Sequence, residues 1–422
     1  MEHDQTRQAT MDTRVRDAVF GDDALKKTSR ADIYRQADAA GIYPASIDRL
    51  YLAAGKELCQ GFSVPAINIR GITYDVARAV FRAAMKDKVG PFIFEIARSE
   101  MGYTQQKPAE YAAGILAAAL REGYRGPVFI QGDHFQVSRS KFLAQPEPEI
   151  EAIRILIREA VAAGFYNIDI DASTVVDLDK PDLTAQQDNN SRLTAELTKF
   201  IREIQPPGVS VSVGGEIGEV GGRNSTVADL RAFMTGYQRY LGTSLRGISK
   251  ISVQTGTTHG GVVLADGTIA NVEIDFKVLK SLSQAARSEY GLGGAVQHGA
   301  STLPDTAFDL FPQMEAVEVH LATGFQNIIL DSPHFPKDLR SAMNKSMLEK
   351  YASERKPKDT DEQHIYKTRK KAFGDFKREL WGLPAATLTA IGGELEERFS
   401  FLFHKLKVDH TDNLVNLYLK RG

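Results

Sequence analysis

The stretch Val128-Phe-Ile-Gln-Gly132-Asp-His134 reads as a buried strand that ends in reactive side chains. Its first half is apolar enough to be covered on both faces. Its second half turns through glycine into a carboxylate and an imidazole. The same form recurs along the chain at Val64–Ile69, Phe92–Ala97, Asn167–Asp171, Val209–Gly214, Ile248–Gln254, Gly294–Gln297 and Ala316–Leu321, each run leading into a Gly-rich or polar cluster. Helical patterns separate these runs, at Tyr74–Lys86, Pro108–Arg121, Glu149–Ala163, Arg192–Ile204 and Val227–Leu241. Strands alternating with helices predict parallel βαβ units. Near-continuous apolar strands fit a sheet covered on both sides. With Val128–Gly132 the units number eight, which predicts a closed (β/α)8 TIM barrel over residues 61–335.

The flanks read differently. Residues 1–60 place apolar residues at helical spacing, among them Ile33, Ala37, Ala40 and Ile42, and Asp48-Arg-Leu-Tyr-Leu-Ala-Ala continues the pattern. They are expected to form a helical N-terminal extension. Residues 336–422 are rich in Lys, Glu and Arg with helical periodicity, and are expected to form a helical C-terminal extension on the barrel or on a neighbouring subunit. Within it, Lys356-Pro-Lys-Asp-Thr-Asp-Glu362 reads as an exposed loop, and the basic run Lys367-Thr-Arg-Lys-Lys371 as a solvated helix face.

The 422 residues are 42% hydrophobic and 25% charged, ordinary values for a globular chain that buries a core without covalent staples. A net charge of −2 provides no bulk attraction to nucleic acid or an anionic membrane. The single cysteine, Cys59, excludes an intrachain disulfide and a thiolate metal cluster, and favours a reducing compartment. The polar start lacks the apolar core of a signal peptide, and no run reaches the ~18 apolar residues of a spanning helix. A cytoplasmic location is the expectation.

Histidines mark where the chemistry gathers. His134, His259, His298 and His320 fall at or near the ends of strand-like runs. In this barrel those ends build the active-site face. A single histidine at a strand end is usually a hydrogen-bonded structural residue. Three of them beside Gly or Asp, His134, His259 and His298, point to a divalent-metal site with an open position. His320 stays open between substrate contact and a structural role. Asp133 precedes His134, and neighbours in a regular strand point to opposite faces, so both reach one cavity only if the backbone turns there. Asp133 is then a candidate general acid, which would need surroundings that raise its pKa, or else a turn former.

Gly214-Gly-Glu-Ile-Gly-Glu-Val-Gly-Gly-Arg-Asn224 surrounds two acids with five glycines. Glu216 is a candidate ligand or base, and Glu219 a candidate base on a closing loop. Solvated acids on a surface loop are the plainer alternative. Gly256, Gly260, Gly261, Gly299 and Ser301 follow the sixth and seventh runs, where backbone N–H groups commonly cradle phosphate in this fold.

Over roughly residues 58–335 the chain resembles the class II, zinc-dependent fructose-bisphosphate and tagatose-bisphosphate aldolases. Gly61-Phe-Ser-Val-Pro-Ala-Ile-Asn68 resembles the family's first strand, which implies that Asn68 faces the substrate. Gly132-Asp-His134 is similar to its Asp-His pair, which implies an Asp133 that acts on the aldehyde and a His134 that binds zinc. Ile170-Asp-Ala-Ser173 matches the fourth-strand motif. Gly215-Glu-Ile-Gly-Glu-Val-Gly-Gly222 resembles Glu-Leu-Gly-x-x-Gly-Gly and implies a metal-associated Glu216. Thr258-His-Gly260 and His298-Gly-Ala-Ser301 resemble the remaining ligands and their phosphate-binding turns. The resemblance implies Zn2+ or another divalent metal, a sugar-phosphate substrate held by Gly260, Gly299, Ser301, His320 and Thr323, and a homodimer or homotetramer.

The chain also departs from that pattern. Arg223 and Asn224 stand where the family carries acids, one of them its proton-abstracting base, which leaves Glu219 as the substitute. The eighth strand, Asn-x-Asp-Thr-Asp in the family, reads His320-Leu-Ala-Thr-Gly324, and Ala97 aligns with a serine. The expected activity is reversible aldol cleavage through a metal-stabilised enediolate. Two rival readings are a metal-dependent sugar isomerase or epimerase, and a non-catalytic barrel that stabilises a partner aldolase.

Overall fold

In the computed structural model, residues 2–218, 222–256, 264 and 274–419 are described, with side chains from residue 10 onward. Among the described residues nine strands form one parallel sheet: β1 (Ile42–Ala45), β2 (Val64–Asn68), β3 (Ile93–Ala97), β4 (Gly126–Gln136), β5 (Asn167–Asp171), β6 (Ser212–Glu216), β7 (Lys250–Val253), β8 (Ala295–Gln297) and β9 (Glu318–Leu321). β2 pairs with both β3 and β9, and β4 with β5, so β2 to β9 close into an eight-stranded barrel. Each barrel strand falls on one of the apolar runs. The predicted (β/α)8 fold is the observed one.

β1 is the departure. Ile42 extends the helical spacing of the sequence, yet Gly41, at φ +73, ends the helix Asp23–Ala39 and turns the chain into a strand. β1 then pairs with the first half of β4, Ile42 against Gly126. That edge is available because β5 takes the second half of the long β4. The next helix, Asp48–Gly55, presses Leu50 and Tyr51 against Val64, Ala66, Ile93, Phe129 and Val296. Those side chains share the inward phase of their strands, so this helix plugs the N-terminal end of the barrel.

The outer apolar layer lies between strands and helices. Phe81 of the helix Thr73–Lys86 meets Phe94 of β3 and Tyr124 at ring centroids of 5.1 and 4.8 Å. The C-terminal helix Ala385–Lys405 packs against Thr73–Lys86, so part of the C-terminal segment covers the barrel of its own chain. No described helix is long and apolar enough to cross a membrane.

Between plug and mouth the barrel interior is charged. Lys250 on β7 is fully buried and places Nζ 2.5 Å from Glu318, 3.0 Å from Asp169 and 2.7 Å from the Gln131 side-chain oxygen. Glu318 also accepts from Gln131 Nε2 at 2.8 Å and from the Tyr51 hydroxyl, and lies 2.6 Å from His320. These groups stand next to the apolar plug, Glu318 in register with Val64 and Val296 and Gln131 two residues beyond Phe129, so the inward face changes from apolar to ionic there. Burial pushes Asp169 up to about 6, against the pull of Lys250. The polar layer was absent from the sequence reading, although one charged residue inside each of several apolar runs was its signal.

Candidate active site

The first requirement is that Asp133 and His134 face the same way. A register break between Gly132 and Phe135 allows it. His134 takes φ +42, a left-handed conformation rarely adopted outside glycine. Gly132 is required as well, because a β-carbon there would overlap the Phe135 ring. The bulge thus brings both Asp133 and His134 to one cavity of about 230 Å³ at the C-terminal mouth. Asn68, His298, Gly299, Ser301, His320 and Thr323 line it too.

His134, His298 and Glu216 form the candidate metal cluster, with one ligand atom from each lying within 4.8 Å of the others. The His134 and His298 rings are 4.3 Å apart, and His298 Nδ1 is 3.5 Å from Glu216. Glu216 is held from both ends: its carboxylate accepts from the Gly218 N–H, and its carbonyl accepts from Asn190 at 2.9 Å. His134 Nδ1 lies 3.3 Å from Asp171, whose other oxygen accepts from the Ser173 N–H and hydroxyl at 3.0 and 2.7 Å. A carboxylate on one imidazole nitrogen fixes the ring and leaves the other nitrogen for a metal. Two imidazoles and a buried carboxylate, so oriented, fit a zinc-type divalent ion. His259, Gly260 and Glu219 lie outside the described residues.

Asp133 sits at the centre of this group. Its Oδ1 lies 3.3 Å from His320, 3.5 Å from His298 and 3.7 Å from His134. Burial would raise its pKa, but His134 and His320 outweigh that and hold it well below the usual carboxylate range. This is the opposite of the direction expected for a lone acid, and its cause is the ring of imidazoles. His320 shows the structural role, and its place in the cavity keeps substrate contact open. It lines the cavity, and it is clamped between Glu318 at 2.6 Å and Glu95 at 2.9 Å.

Several lining residues were not foreseen. Arg70 pairs with Glu100 at 2.7 Å and reaches Gln326 at 2.9 Å and Thr323 at 3.3 Å. Glu100 also accepts from Asn68 at 2.6 Å and from the Ala97 N–H at 2.9 Å. Nothing in the sequence marks Arg70 and Glu100 as partners. Lys370 also lines the cavity. The run Lys367–Lys371, read as a solvated face, is corrected at that position, because the segment folds back over the barrel mouth. The departures gain a physical reason too. Gly324 is where the chain passes Ser301 so closely that a β-carbon would stand 2.7 Å from its carbonyl oxygen. Arg223 makes a two-pronged pair with Asp229 at 2.7 and 2.8 Å, fastening the start of the helix Val227–Leu241.

Glu100 gives a test of this wall. Burial raises its pKa, but Arg70 beside it and its hydrogen bonds hold it below the ordinary value. A depressed folded-state pKa stabilises above the unfolded value of ~4.3 and loses that contribution as pH falls towards the folded value. Glu100→Gln is expected to cost about 2–3 kcal/mol at neutral pH by stranding Arg70. It should also flatten the fall in stability below pH ~4.3, checked by urea unfolding across pH. An unchanged midpoint at pH 7 would contradict the pairing.

A second, larger cavity of about 600 Å³ lies on the outer face, between the N-terminal helix Glu2–Phe20 and Ala385–Lys405. Three of its arginines pair with carboxylates, Arg78 with Glu122 at 2.6 Å, Arg82 with Glu396 at 2.6 Å and Arg121 with Asp12 at 3.3 Å. The smaller cavity holds the convergent histidines and acids, and is the candidate site.

Fold and cavity together define a parallel barrel with a candidate divalent-metal centre at the C-terminal mouth of its strands. The chain belongs to the class-II fructose-bisphosphate aldolase family, whose model matches residues 52–379. No curated protein matches its sequence. Among solved structures it is similar to a probable tagatose 6 phosphate kinase from Sinorhizobium meliloti 1021, with TM-score 0.57 and 14% identity over 83% of this chain and 98% of that one. It is also similar to the fructose-bisphosphate aldolase of Campylobacter jejuni, with TM-score 0.50 and 18% identity over 87% and 96%. At these identities the likeness is one of fold. Family membership supports an aldolase-type function.

Proposed function

We propose that this protein is a metal-dependent class II aldolase that catalyses reversible aldol cleavage of a ketose phosphate. The observation that carries the reading is the convergence of Asp133 on His134, His298 and His320 beside Glu216 in one buried mouth. His134, His298, Glu216 and His259 would hold the ion. A divalent ion bound there would supply Lewis-acid polarisation of a carbonyl oxygen.

The remaining work belongs to side chains. Asp133 faces the cavity with His320 Nδ1 at 3.3 Å, so a proton held between them serves the substrate oxygen that becomes hydroxyl on condensation and is deprotonated on cleavage. Glu318 and Glu95 keep the His320 ring in place for that exchange. Ser301, Thr323 and the Gly299 turn, where φ is +69, bind the phosphate end. Glu219 removes the proton next to the carbonyl from the glycine-rich loop.

The test is metal content per chain, beside retro-aldol assays on ketose mono- and bisphosphates. His134→Ala is expected to lose the ion and to lower turnover by at least about a hundredfold. Tightly bound metal with isomerised but uncleaved product would instead establish the isomerase. A protein that takes up no metal after reconstitution would overturn the catalytic reading in favour of a partner-stabilising barrel.

A further inference from the structure

Tyr51 joins the apolar plug to the ionic layer beyond it. Its ring is fully buried, and it sits in a helix that precedes the first barrel strand. Two close approaches fix where that helix lies. A β-carbon at Gly55 would overlap the Gly291 carbonyl, and one at Gly293 would stand 3.0 Å from the β-carbon of Tyr51 itself. Backbone therefore meets backbone between the plug helix and the turn that leads into β8. Lys250 Nζ lies 5.9 Å from the centroid of the Tyr51 ring, so the ring's far edge already borders charge.

The Tyr51 hydroxyl ends on Glu318. Three groups crowd one oxygen of that carboxylate, Oε1: Lys250 Nζ at 2.5 Å, His320 Nε2 at 2.6 Å and Gln131 Nε2 at 2.8 Å. Among the described residues the other oxygen, Oε2, has a single hydrogen-bond partner, the Tyr51 hydroxyl. Burial and the Glu318 charge push the Tyr51 phenol well above its ordinary range, so it stays a donor. A carboxylate held at one oxygen can turn about its last side-chain bond, a soft torsion; held at both, its plane is fixed. Glu318 and His320 are two residues apart on β9 and face the same way. His320 Nε2 meets Glu318 Oε1, and its Nδ1 lies 3.3 Å from Asp133 Oδ1 in the mouth. A line of contacts thus runs from the plug helix through the barrel interior to the cavity.

We infer that Tyr51 is a positioning residue of the active site: by fixing the Glu318 carboxylate it sets the orientation of the His320 ring, so a helix ahead of the barrel takes part in catalysis without touching substrate. The apolar neighbours of Tyr51 in the plug, such as Val64, Ile93 and Phe129, would be served equally by phenylalanine. Its hydroxyl has no partner but Glu318 among the described residues, so whatever the oxygen contributes passes through that carboxylate. The inference rests on the reading of His320 as the proton partner of Asp133, and extends it to the opposite end of the barrel.

The experiment uses the full-length, metal-loaded protein and Tyr51→Phe, which keeps the ring and removes the hydroxyl. Leu50→Val, a packing change in the same helix, is the control for simple loosening of the plug. Urea unfolding sets conditions in which both variants are fully folded. The first readout needs no activity: the imidazole nitrogen NMR resonances of His320 in protein carrying isotope-labelled histidine, assigned by their absence from His320→Gln. They are expected to move in Tyr51→Phe and to stay in place in Leu50→Val. In a Glu318→Gln background Tyr51→Phe should move them no further, because the link is already broken. The second readout is retro-aldol turnover. Tyr51→Phe is expected to lower kcat about tenfold or more, with KM and metal content near those of the unaltered protein, while Leu50→Val keeps its kcat. Unmoved His320 resonances in Tyr51→Phe, unchanged kcat in an active enzyme, or an equal loss of kcat in Leu50→Val would each overturn the inference. Moved resonances in a protein that cleaves no sugar phosphate would uphold the link from plug to mouth and sink the aldolase reading instead.

Discussion

Asp133→Ala is expected to lower turnover by about 10²–10⁴-fold while metal content per chain stays at the level of the unaltered protein. The geometry sets both halves of that result. Asp133 Oδ1 faces three imidazoles at 3.3 to 3.7 Å, two of them proposed ligands, but the ligand cluster of His134, Glu216 and His298 closes without it. His134 keeps its Asp171 partner at 3.3 Å, and Glu216 keeps the Gly218 N–H, whether or not Asp133 is present. On the proposed ligand set the carboxylate serves the substrate and is not needed for the ion. Asp133→Asn keeps the shape and removes the proton exchange, so it should fall with Asp133→Ala rather than with the unaltered protein. Loss of metal together with loss of turnover in both variants would make Asp133 a structural residue of the centre.

The second large effect lies below the site. Lys250→Met is expected to destabilise the fold by about 3–5 kcal/mol, measured by urea unfolding. Lys250 is fully buried and is the only described cation side chain on Asp169 apart from His320, and the nearest on Glu318. Removing it leaves two buried carboxylates with only His320 beside them to offset their charge. The second variant separates charge from volume: Lys250→Met with Glu318→Gln should recover part of the loss, because one of the stranded charges is gone. A loss below about 1 kcal/mol in Lys250→Met would show that water or a shared proton already compensates the pair. The same variant reports on the site. Glu318 holds His320, so a relaxed Glu318 should reduce turnover even where the fold survives.

Much of this molecule is legible in its sequence. The eight apolar runs and the helical spacing between them carry the barrel, because a strand buried on both faces cannot hide its composition and a period of two or 3.6 follows from backbone geometry alone. The positions of Asp133, His134, His298, His320 and Glu216 were legible for a related reason: a barrel places strand ends at one mouth, so reactive residues at strand ends must meet. What stood beyond the sequence was anything set by approach between distant segments. The bulge that lets Asp133 and His134 face together is a register break between β4 and β5. The ionic layer of Lys250, Glu318 and Asp169 joins three strands. The turn that carries Lys370 depends on Phe373 lying over Gly71, some 300 residues earlier in the chain. Local pattern determined which elements form and which residues they offer at the mouth. Only tertiary packing decided which charges share a cavity, because Coulomb and hydrogen-bond energies depend on separations of a few ångströms that sequence distance does not encode.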